Sequence, residues 1–336
     1  MIIGLTYDLR SDYLAMGFGE EETAEFDRAE TIDALEAATR ELGYECERIG
    51  NAWRLTELLV QGRRWDLVFN IAEGLRGIGR EAQVPAILDL YGIPYTFSDP
   101  MVMSLTLHKG MTKRVIRDAG LATADFWIAS DRRESSAGHF PPPYFVKPVA
   151  EGTGKGISGR SIVRRKEDLP GICEDLISRF QQPVLIERFL SGREFTTGLA
   201  GTGTGARVIG TMEILLLENA EKSVYSYSNK EDYEQRVRYR PVFPETDPVV
   251  RQTEALALEA WKVLGCRDGG RMDIRCDDAG RPCFIEVNPL AGLHPKHSDL
   301  PIICSLFNIS YIRLIGWILD SALERMGLEK TGGKRS

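Results

Sequence analysis

Residues 269–292 restrict the fold more than any other stretch, because they read as a β-hairpin with polar residues at fixed positions (GGRMDIRCDDAGRPCFIEVNPLAG). Side chains alternate between the two faces of a strand, so Arg271 and Asp273 share one face, as do Glu286 and Asn288. The DDAGRP segment predicts a turn, and a loop of about four residues places Asp273 opposite Glu286 and Arg271 opposite Asn288. The hairpin therefore predicts four polar side chains on one surface.

This surface has the composition of a magnesium site. Two carboxylates and one amide oxygen suit Mg²⁺, which prefers oxygen ligands and shares its shell with waters and substrate phosphates. The simpler interpretation is a hairpin whose charged side chains face water. Motifs elsewhere in the chain are needed to distinguish a magnesium site from a solvent-exposed hairpin.

The composition favours a globular protein whose partners are small molecules. The 336 residues, 43% of them hydrophobic, provide core material for two or three domains. A net charge of −7 and a pI near 5.4 argue against nucleic-acid binding, which selects for clustered Lys and Arg. A small anionic substrate needs only local positive charge and is compatible with this balance.

Targeting and redox signals favour the cytoplasm and predict no membrane segment. The N-terminus reads as a first strand and not as a signal peptide, and the best apolar run, 311–319, is interrupted by Arg313 and predicts a core-facing helix. No CxxC pair occurs, so we expect reduced, mostly buried thiols at Cys46, Cys173, Cys266, Cys276, Cys283 and Cys304. His294 and His297 form a weak metal-pair candidate, because no third nitrogen or sulfur ligand is near in sequence.

The pattern of elements changes along the chain. Strand and helix signals alternate over the first hundred residues, which predicts a parallel sheet covered by helices. Residues 99–120 then predict one helix, and the prolines of 141–143 mark a loop. From residue 144 onward the pattern predicts antiparallel strands, with helices at 168–180 and 249–265 and a closing helix.

A glycine-rich loop, VKPVAEGTGKGISG, connects two of these strands. Its glycines allow the backbone to close over a ligand with amide donors facing phosphate oxygens. It matches neither a P-loop nor a Rossmann fingerprint, because no helix start follows. We predict a phosphate-binding flap with a phosphate contact from Lys147. The alternatives are a plain turn and a surface lysine.

The segment PVLIERFLSGREF ends an apolar strand in Glu187 and Glu194. An apolar strand that leads to exposed backbone groups suits an adenine pocket, and a carboxylate can accept a hydrogen bond from a ribose hydroxyl. A strand end with solvated charges is the alternative interpretation.

Seven segments occur in an order that resembles the ATP-grasp superfamily and, within it, the D-alanine:D-alanine ligase group. They are VFNIAEG with GIPYTFSD, LHKGMTKRVIRDAGLAT, FVKPVAEGTGKGI, LIERFLSGREFTTGL, YSYSNK, GGRMDI and FIEVNPLAGLHPKHSDLP. The resemblance implies a mixed α/β and α+β fold with an N-terminal parallel-sheet domain at 1–104. A central subdomain with the flap at 105–189 and a C-terminal subdomain with the magnesium site at 190–336 would hold ATP between antiparallel sheets. It also implies a homodimer.

The resemblance assigns roles residue by residue. The residues implied for ATP are Lys109, Lys147, Glu151, Gly152, Gly154, Gly156, Glu187, the backbone of Arg188 and Leu190, and Glu194. Lys230 and Thr153 are implied to act on the phosphates from two loops. Arg271 and the amide of Gly292 are implied to hold an oxyanion. Asp273, Glu286 and Asn288 are implied to bind two Mg²⁺ ions, or Mn²⁺, in agreement with the hairpin argument.

The reaction implied is activation of a carboxylate by ATP. An acyl phosphate forms, an amine attacks it, and phosphate leaves, while the flap keeps water out.

The positions that depart from the D-alanine ligase pattern cluster at the amino-acid site. The N-terminal GGxSxE signature is absent, and Glu25 is the nearest candidate for a substrate ammonium. Glu73 stands where histidine is expected, Glu231 where tyrosine is expected and Thr153 where serine is expected. One extra residue precedes Ser298, the implied carboxylate ligand.

These departures predict a carboxylate-amine ligase whose substrates differ from two D-alanines. Glu73 and Glu231 suggest a cationic or ammonium-bearing substrate, unless they pair with Arg76 or Arg80. Three alternatives stay open: a genuine D-alanine:D-alanine ligase, ATP-activated C–N bond formation on a secondary metabolite, and a non-catalytic ATP-binding regulator.

Overall fold

The computed structural model describes residues 1–216 and 237–328 and arranges their strands in three sheets. The strands are β1 Ile2–Thr6, β2 Glu45–Gly50, β3 Leu67–Asn70, β4 Phe126–Ala129, β5 Tyr144–Pro148, β6 Ile162–Val163, β7 Val184–Arg188, β8 Glu194–Ala200, β9 Arg207–Leu216, β10 Val237–Val242, β11 Gly269–Cys276 and β12 Pro282–Asn288. The helices are α1 Arg10–Ala15, α2 Ala29–Glu41, α3 Ala52–Val60, α4 Gln83–Leu90, α5 Pro100–Leu107, α6 Lys109–Asp118, α7 Leu169–Phe180, α8 Pro248–Leu264, α9 Asp299–Leu306 and α10 Tyr311–Arg325.

The first sheet is parallel, in the order β2-β1-β3, as the alternating pattern predicts. All four residues of β3 are buried, because helices cover both faces of a parallel sheet. Strand β2 is not predicted from the sequence, because its segment ECERIG is polar and half exposed at the edge of the sheet.

The single helix predicted over 99–120 is wrong. His108 has ψ 85°, outside the helical region, and separates α5 from α6. Its imidazole accepts a hydrogen bond from the Met111 amide at 3.2 Å, so a break inside the apolar run also caps the start of α6. The break brings Lys109 to the first position of α6.

The other two sheets are antiparallel, in the orders β4-β7-β5-β6 and β10-β9-β8-β11-β12, as predicted from residue 144 onward. The strand after the glycine loop is shorter than its sequence predicts, because residues 159–161 form a 3₁₀ turn and only Ile162–Val163 pair with β5. The helices predicted at 168–180 and 249–265 are confirmed as α7 and α8.

The C-terminal helix α10 packs into the same core as the first sheet. Ile315, Ile318 and Leu319 are fully buried in one cluster with Ile3 and Leu35. Within the described residues, no single helix has both the length and the apolar composition to cross a bilayer. Only α9 and α10 taken together pass that test, as a pair bent by 116°.

All six cysteines are free thiols, and five of them are buried. Burial raises the pKa of the Cys173 thiol to about 12, so this group is a poor nucleophile. The prediction that the thiols are mostly buried is confirmed.

Candidate functional site

The hairpin β11–β12 has the register that the sequence predicts at its polar end. Asp273 lies opposite Glu286 and Arg271 lies opposite Asn288. A β-bulge after Asp273 shifts the register by one residue toward the turn, so Cys276 pairs with Pro282 across a loop of five residues instead of about four. The polar residues therefore lie together as expected.

The four polar side chains of the hairpin, Arg271, Asp273, Glu286 and Asn288, are called the hairpin platform, and neighbouring strands hold it in place. The Thr196 hydroxyl on β8 donates a 2.8 Å hydrogen bond to Asp273 Oδ1. A side chain at Gly270 would place its Cβ 2.6 Å from the Asn288 carbonyl oxygen, so glycine is required where the two strands approach. The Asn288 amide nitrogen is buried and makes no hydrogen bond within the described chain.

Two predicted phosphate lysines converge on the platform. Lys147 Nζ lies 3.2 Å from Glu286 Oε2 and 3.3 Å from Glu187 Oε2, and Lys109 Nζ lies 3.8 Å from Glu286 Oε2. Burial lowers the pKa of Lys147, but the charges of Glu187 and Glu286 outweigh it and raise that pKa above its ordinary value. Burial lowers the pKa of Lys109. Positive charge is thus concentrated where a polyphosphate would meet the carboxylates.

A third lysine, Lys113, is missing from the sequence-based set. Its side chain is fully buried, and its Nζ lies 2.6 Å from Glu187 Oε1. The same Nζ donates a 2.8 Å hydrogen bond to the Thr123 hydroxyl. Burial raises the pKa of Glu187, yet Lys113 and Lys147 outweigh it and hold that pKa below its usual range. The one available sequence signal was the position of Lys113, four residues after Lys109 on the same helical face.

The predicted glycine flap is a tight loop between β5 and β6, stabilised by hydrogen bonds from Lys155 N to the Gly152 carbonyl and from Ile157 N to the Gly154 carbonyl. Thr153, Gly154 and Gly156 have φ of 52°, 74° and 74°. Glu151 and Gly154 line one cavity, whereas Gly152 and Thr153 line a second, so the flap separates two spaces. The side chain of Glu151 accepts a hydrogen bond from Gln182.

The first cavity contains the predicted nucleotide residues. It lies between the two antiparallel sheets and is lined by Lys109, Phe145, Lys147, Glu151, Gly154, Ile157, Glu187, Arg188, Phe189, Leu190, Glu194, Asp273, Ile285 and Glu286. Its lining combines apolar side chains with charged ones, which is the composition needed for a planar base attached to a polyphosphate. Arg275 Nη1 lies 3.1 Å from Glu194 Oε2 at one side of the cavity.

The second cavity has a volume of about 290 Å³ and collects the predicted substrate residues. Glu25, Glu73, Gly152, Thr153, Arg271, Asn288, Gly292 and Ser298 all line it. Lys109 and Glu286 line both cavities. The two spaces therefore meet at the hairpin platform.

Glu25 is held by two cations. Its carboxylate lies 2.9 Å from Arg80 Nη2 and 2.7 Å from Lys155 Nζ. Burial raises the pKa of Glu25, but Arg80 and Lys155 outweigh it and lower that pKa. Arg80 is therefore the partner of Glu25 and not of Glu73, and Lys155 is a flap residue that the sequence analysis leaves without a role.

The opposite end of the second cavity is formed by the segment after β12. A Cβ at Gly292 would lie 2.8 Å from the Ser298 hydroxyl oxygen, which itself accepts a 3.0 Å hydrogen bond from His294 N. Asp299, which is not predicted from the sequence, lies with Oδ2 3.2 Å from Arg271 Nε. A carboxylate thus neighbours the predicted oxyanion-binding arginine.

The donor set at the platform fits Mg²⁺ in the presence of phosphates. Within 1–216 and 237–328, no group of three or more His, Cys, Asp or Glu side chains is placed to hold a metal ion, and this includes the region of His294 and His297. Asp273, Glu286 and Asn288 supply two carboxylates and one amide, which leaves coordination positions for phosphate oxygens and water. The buried Asn288 amide nitrogen has no hydrogen-bond partner within the described residues, and a buried polar side chain left unsatisfied in this way is typical of a ligand site. Lys230 and Glu231 lie outside the described residues.

Comparison with known proteins identifies the class. A family model described as D-ala D-ala ligase C-terminus matches residues 115–320. The D-alanine–D-alanine ligase of Sinorhizobium fredii is 31% identical over 301 residues, covering 88% of this chain and 91% of the relative. An uncharacterized protein, y4sG, from the same organism is 30% identical, with 87% of each chain covered.

A solved structure shares the fold. The D-alanine–D-alanine ligase of Bacillus anthracis, crystallised in complex with ATP, superposes with a TM-score of 0.71 at 20% identity, covering 97% of this chain and 99% of that one. The fold and the site thus define an ATP-grasp ligase. This chain belongs to the D-alanine–D-alanine ligase family.

Proposed function

We propose that this ligase joins a carboxylate to an amine through an acyl phosphate, and that its substrate pair differs from two D-alanines. One observation carries the reaction class: Lys109 and Glu286 line both cavities, so a nucleotide in the first cavity would meet a carboxylate in the second at the platform. The Sinorhizobium and Bacillus relatives named D-alanine–D-alanine ligases support the same chemistry.

The residues of this chain would divide the work. Asp273, Glu286 and Asn288 would hold Mg²⁺, which when bound neutralises charge on the transferring phosphoryl group. Lys109 and Lys147 would bind phosphate oxygens, since a lysine beside a carboxylate can exchange that partner for a phosphate.

The second half of the reaction would use the opposite wall. Arg271 and the Gly292 amide would stabilise the oxyanion formed when the amine attacks. The flap, which borders both cavities, would exclude water from the acyl phosphate. A second Mg²⁺ ion and a homodimer stay predictions.

Three features of the second cavity support a substrate pair other than two D-alanines. Glu25 is bound by Arg80 and Lys155, so its carboxylate is engaged before any substrate ammonium arrives. Asp299 lies beside Arg271. Glu73 lines the cavity as an additional carboxylate.

Phosphate release from ATP and Mg²⁺ would test the proposal over amino acids of both hands, alone and in pairs. We expect turnover with a pair other than two D-alanines, and mass spectrometry of the product should show loss of one water between the two substrates. Turnover confined to D-alanine would contradict the altered substrate and favour the second candidate, a genuine D-alanine:D-alanine ligase, which the names of several relatives suggest. ATP binding without ADP formation would contradict both.

A further inference from the structure

Glu73 and Glu81 are brought together by a close backbone contact at the wall of the second cavity. Gly74 has φ 72°, and a Cβ there would lie 2.6 Å from the Arg80 carbonyl oxygen. Glycine is therefore required at this position, and the residues on either side of the contact, Glu73 and Glu81, both line the cavity.

The cations nearest to these carboxylates are engaged elsewhere. Arg80 directs its guanidinium to Glu25, at 2.9 Å, and to the carbonyl oxygen of Ala150, also at 2.9 Å. Lys155 lies 2.7 Å from Glu25 and 2.5 Å from Glu151. Neither side chain reaches Glu73 or Glu81 within ion-pair distance.

Glu81 is the decisive residue. Only 9% of its surface is exposed, and that surface opens into the cavity. Within residues 1–216 and 237–328 its carboxylate accepts no hydrogen bond and lies in no ion pair. Native proteins rarely bury a carboxylate without a partner, because desolvation of the charge is costly. Burial also raises the pKa of Glu81 to about 7. A cationic ligand would provide the missing partner.

The charge balance indicates what kind of ligand fits. An amino acid with an apolar side chain carries one ammonium and one carboxylate and brings no net charge. Asp27 lines the same cavity, and burial raises its pKa to about 7 as well, so three carboxyl groups share this wall. Of the cations that also line the cavity, Arg28 is exposed, Lys109 lies 3.8 Å from Glu286 and Arg271 lies 3.2 Å from Asp299, so each of the last two already faces a carboxylate. A ligand with net positive charge suits such a wall better than a neutral zwitterion.

We infer that Glu73 and Glu81 form a specificity subsite for a side-chain ammonium or guanidinium, so that one substrate of the ligase is a basic amino acid. This inference rests on the proposed function and deepens it. The subsite lies beside the flap and not at the hairpin platform, so it selects a substrate without taking part in phosphoryl transfer.

The test compares the D- and L-enantiomers of lysine, ornithine and arginine with norleucine. The norleucine side chain is similar in length to that of lysine but has no ammonium group. Phosphate release is measured with wild type, Glu81→Gln, Glu73→Gln and, as the matched control, Glu30→Gln, an exposed residue at the start of α2. We expect wild type to prefer a basic amino acid over norleucine by about 10²-fold in kcat/KM. Glu81→Gln should remove most of that preference, whereas the KM for ATP and the behaviour of Glu30→Gln should stay unchanged.

Binding is measured separately by calorimetry without ATP, so the inference is tested even if no turnover occurs. Saturable binding of lysine, weakened about 10-fold or more by Glu81→Gln or Glu73→Gln, supports the subsite. Equal binding of lysine and norleucine, or lysine binding that both variants leave unchanged, overturns it. Binding of Mg²⁺ or Ca²⁺ alone that depends on Glu81 and excludes lysine would also overturn it. Absence of phosphate release with intact lysine binding would count against the proposed function and not against the subsite.

Discussion

At the residue scale, the geometry of Asp273 depends on a threonine from the neighbouring strand. Thr196 is buried and donates a hydrogen bond to Asp273 Oδ1, so it helps to orient the carboxylate that is predicted to bind a cation. A side chain that orients a metal ligand typically changes metal affinity or activity by about 10–100-fold when it is removed. Thr196 therefore belongs to the predicted magnesium site without being a ligand.

We expect Thr196→Val to raise the Mg²⁺ concentration needed for half-maximal phosphate release by about 10-fold or more. The adjacent residue supplies the control, because Thr197 is equally buried but bonds Thr211 on the other face of the sheet. Thr197→Val should lose similar thermal stability and keep the Mg²⁺ dependence of wild type. Equal effects of the two substitutions on the Mg²⁺ dependence would refute the role of Thr196.

The raised pKa of Glu81 predicts a pH dependence of stability. Its folded value of about 7 exceeds the ordinary value of 4.5, so between these values the folded state holds a proton that the unfolded chain has released. The corresponding contribution to stability is present below the ordinary pKa and is lost as the pH rises to about 7.

Glu81→Gln cannot lose a proton, so its free energy of unfolding relative to wild type should increase by up to about 3 kcal/mol between pH ~5 and pH ~8. Urea unfolding of both proteins at several pH values measures this difference. A difference that does not vary with pH would show that Glu81 titrates normally.

The parts of the site that the sequence predicts are those set by local geometry. Strand alternation and one turn suffice to place Asp273 opposite Glu286. The role of Thr196 cannot be predicted from local geometry, because its contact with Asp273 requires β8 to lie next to β11. Local sequence patterns do not determine the order of strands in a sheet. Lys113 and Asp299 act through partners more than seventy and twenty residues away, Glu187 and Arg271, so their roles need the tertiary structure.

At the element scale, the flap is positioned by contact with the N-terminal segment. A Cβ at Gly152 would lie 2.2 Å from Glu25 Oε1, and the same carboxylate binds Lys155 of the flap. The flap and the loop that carries Glu25 therefore contact each other where both border the second cavity.

Gly152→Ala should hold the flap away from Glu25 and let water reach the acyl phosphate. We expect a fall in product formation of about 10–10²-fold, with ADP formed in excess over ligated product. Gly159→Ala is the matched control, because a Cβ at that position of the same loop meets no atom within 4 Å. The test is the ratio of ADP to ligated product, measured for both variants. A ratio of one for Gly152→Ala would contradict the role of the flap in excluding water.

Elements with strong periodicity are predicted well, and elements defined by their neighbours are not. The alternating pattern predicts the parallel sheet, and the apolar face of α10 predicts its burial. The polar strand β2 forms because β1 offers a free edge, and α5 ends at His108 because an imidazole caps the next helix. The domain limits after residues 104 and 189 stay predictions.

At the scale of the whole molecule, Asp268 connects the N-terminal part of the chain to helix α10. It is fully buried and accepts three hydrogen bonds, from Phe97 N at 2.7 Å, from the Ser321 hydroxyl at 2.8 Å and from Arg325 Nη2 at 2.8 Å. Arg325 also donates a 2.9 Å hydrogen bond to the Tyr95 carbonyl oxygen. One carboxylate thus joins the segment after β3, the start of β11 and the helix α10.

Asp268→Asn should therefore destabilise the whole fold while leaving the backbone undisturbed. Asp268 has φ 65°, a left-handed conformation that asparagine also tolerates, so the substitution removes charge without adding backbone strain. Removing one partner of a buried ion pair leaves Arg325 uncompensated and costs about 3–5 kcal/mol. Urea unfolding measures the loss, and Glu324→Gln, exposed on the same helix, is the control and should change stability by less than about 0.5 kcal/mol. A loss for Asp268→Asn as small as that of the control would show that hydrophobic contacts alone hold α10 against the N-terminal part of the chain.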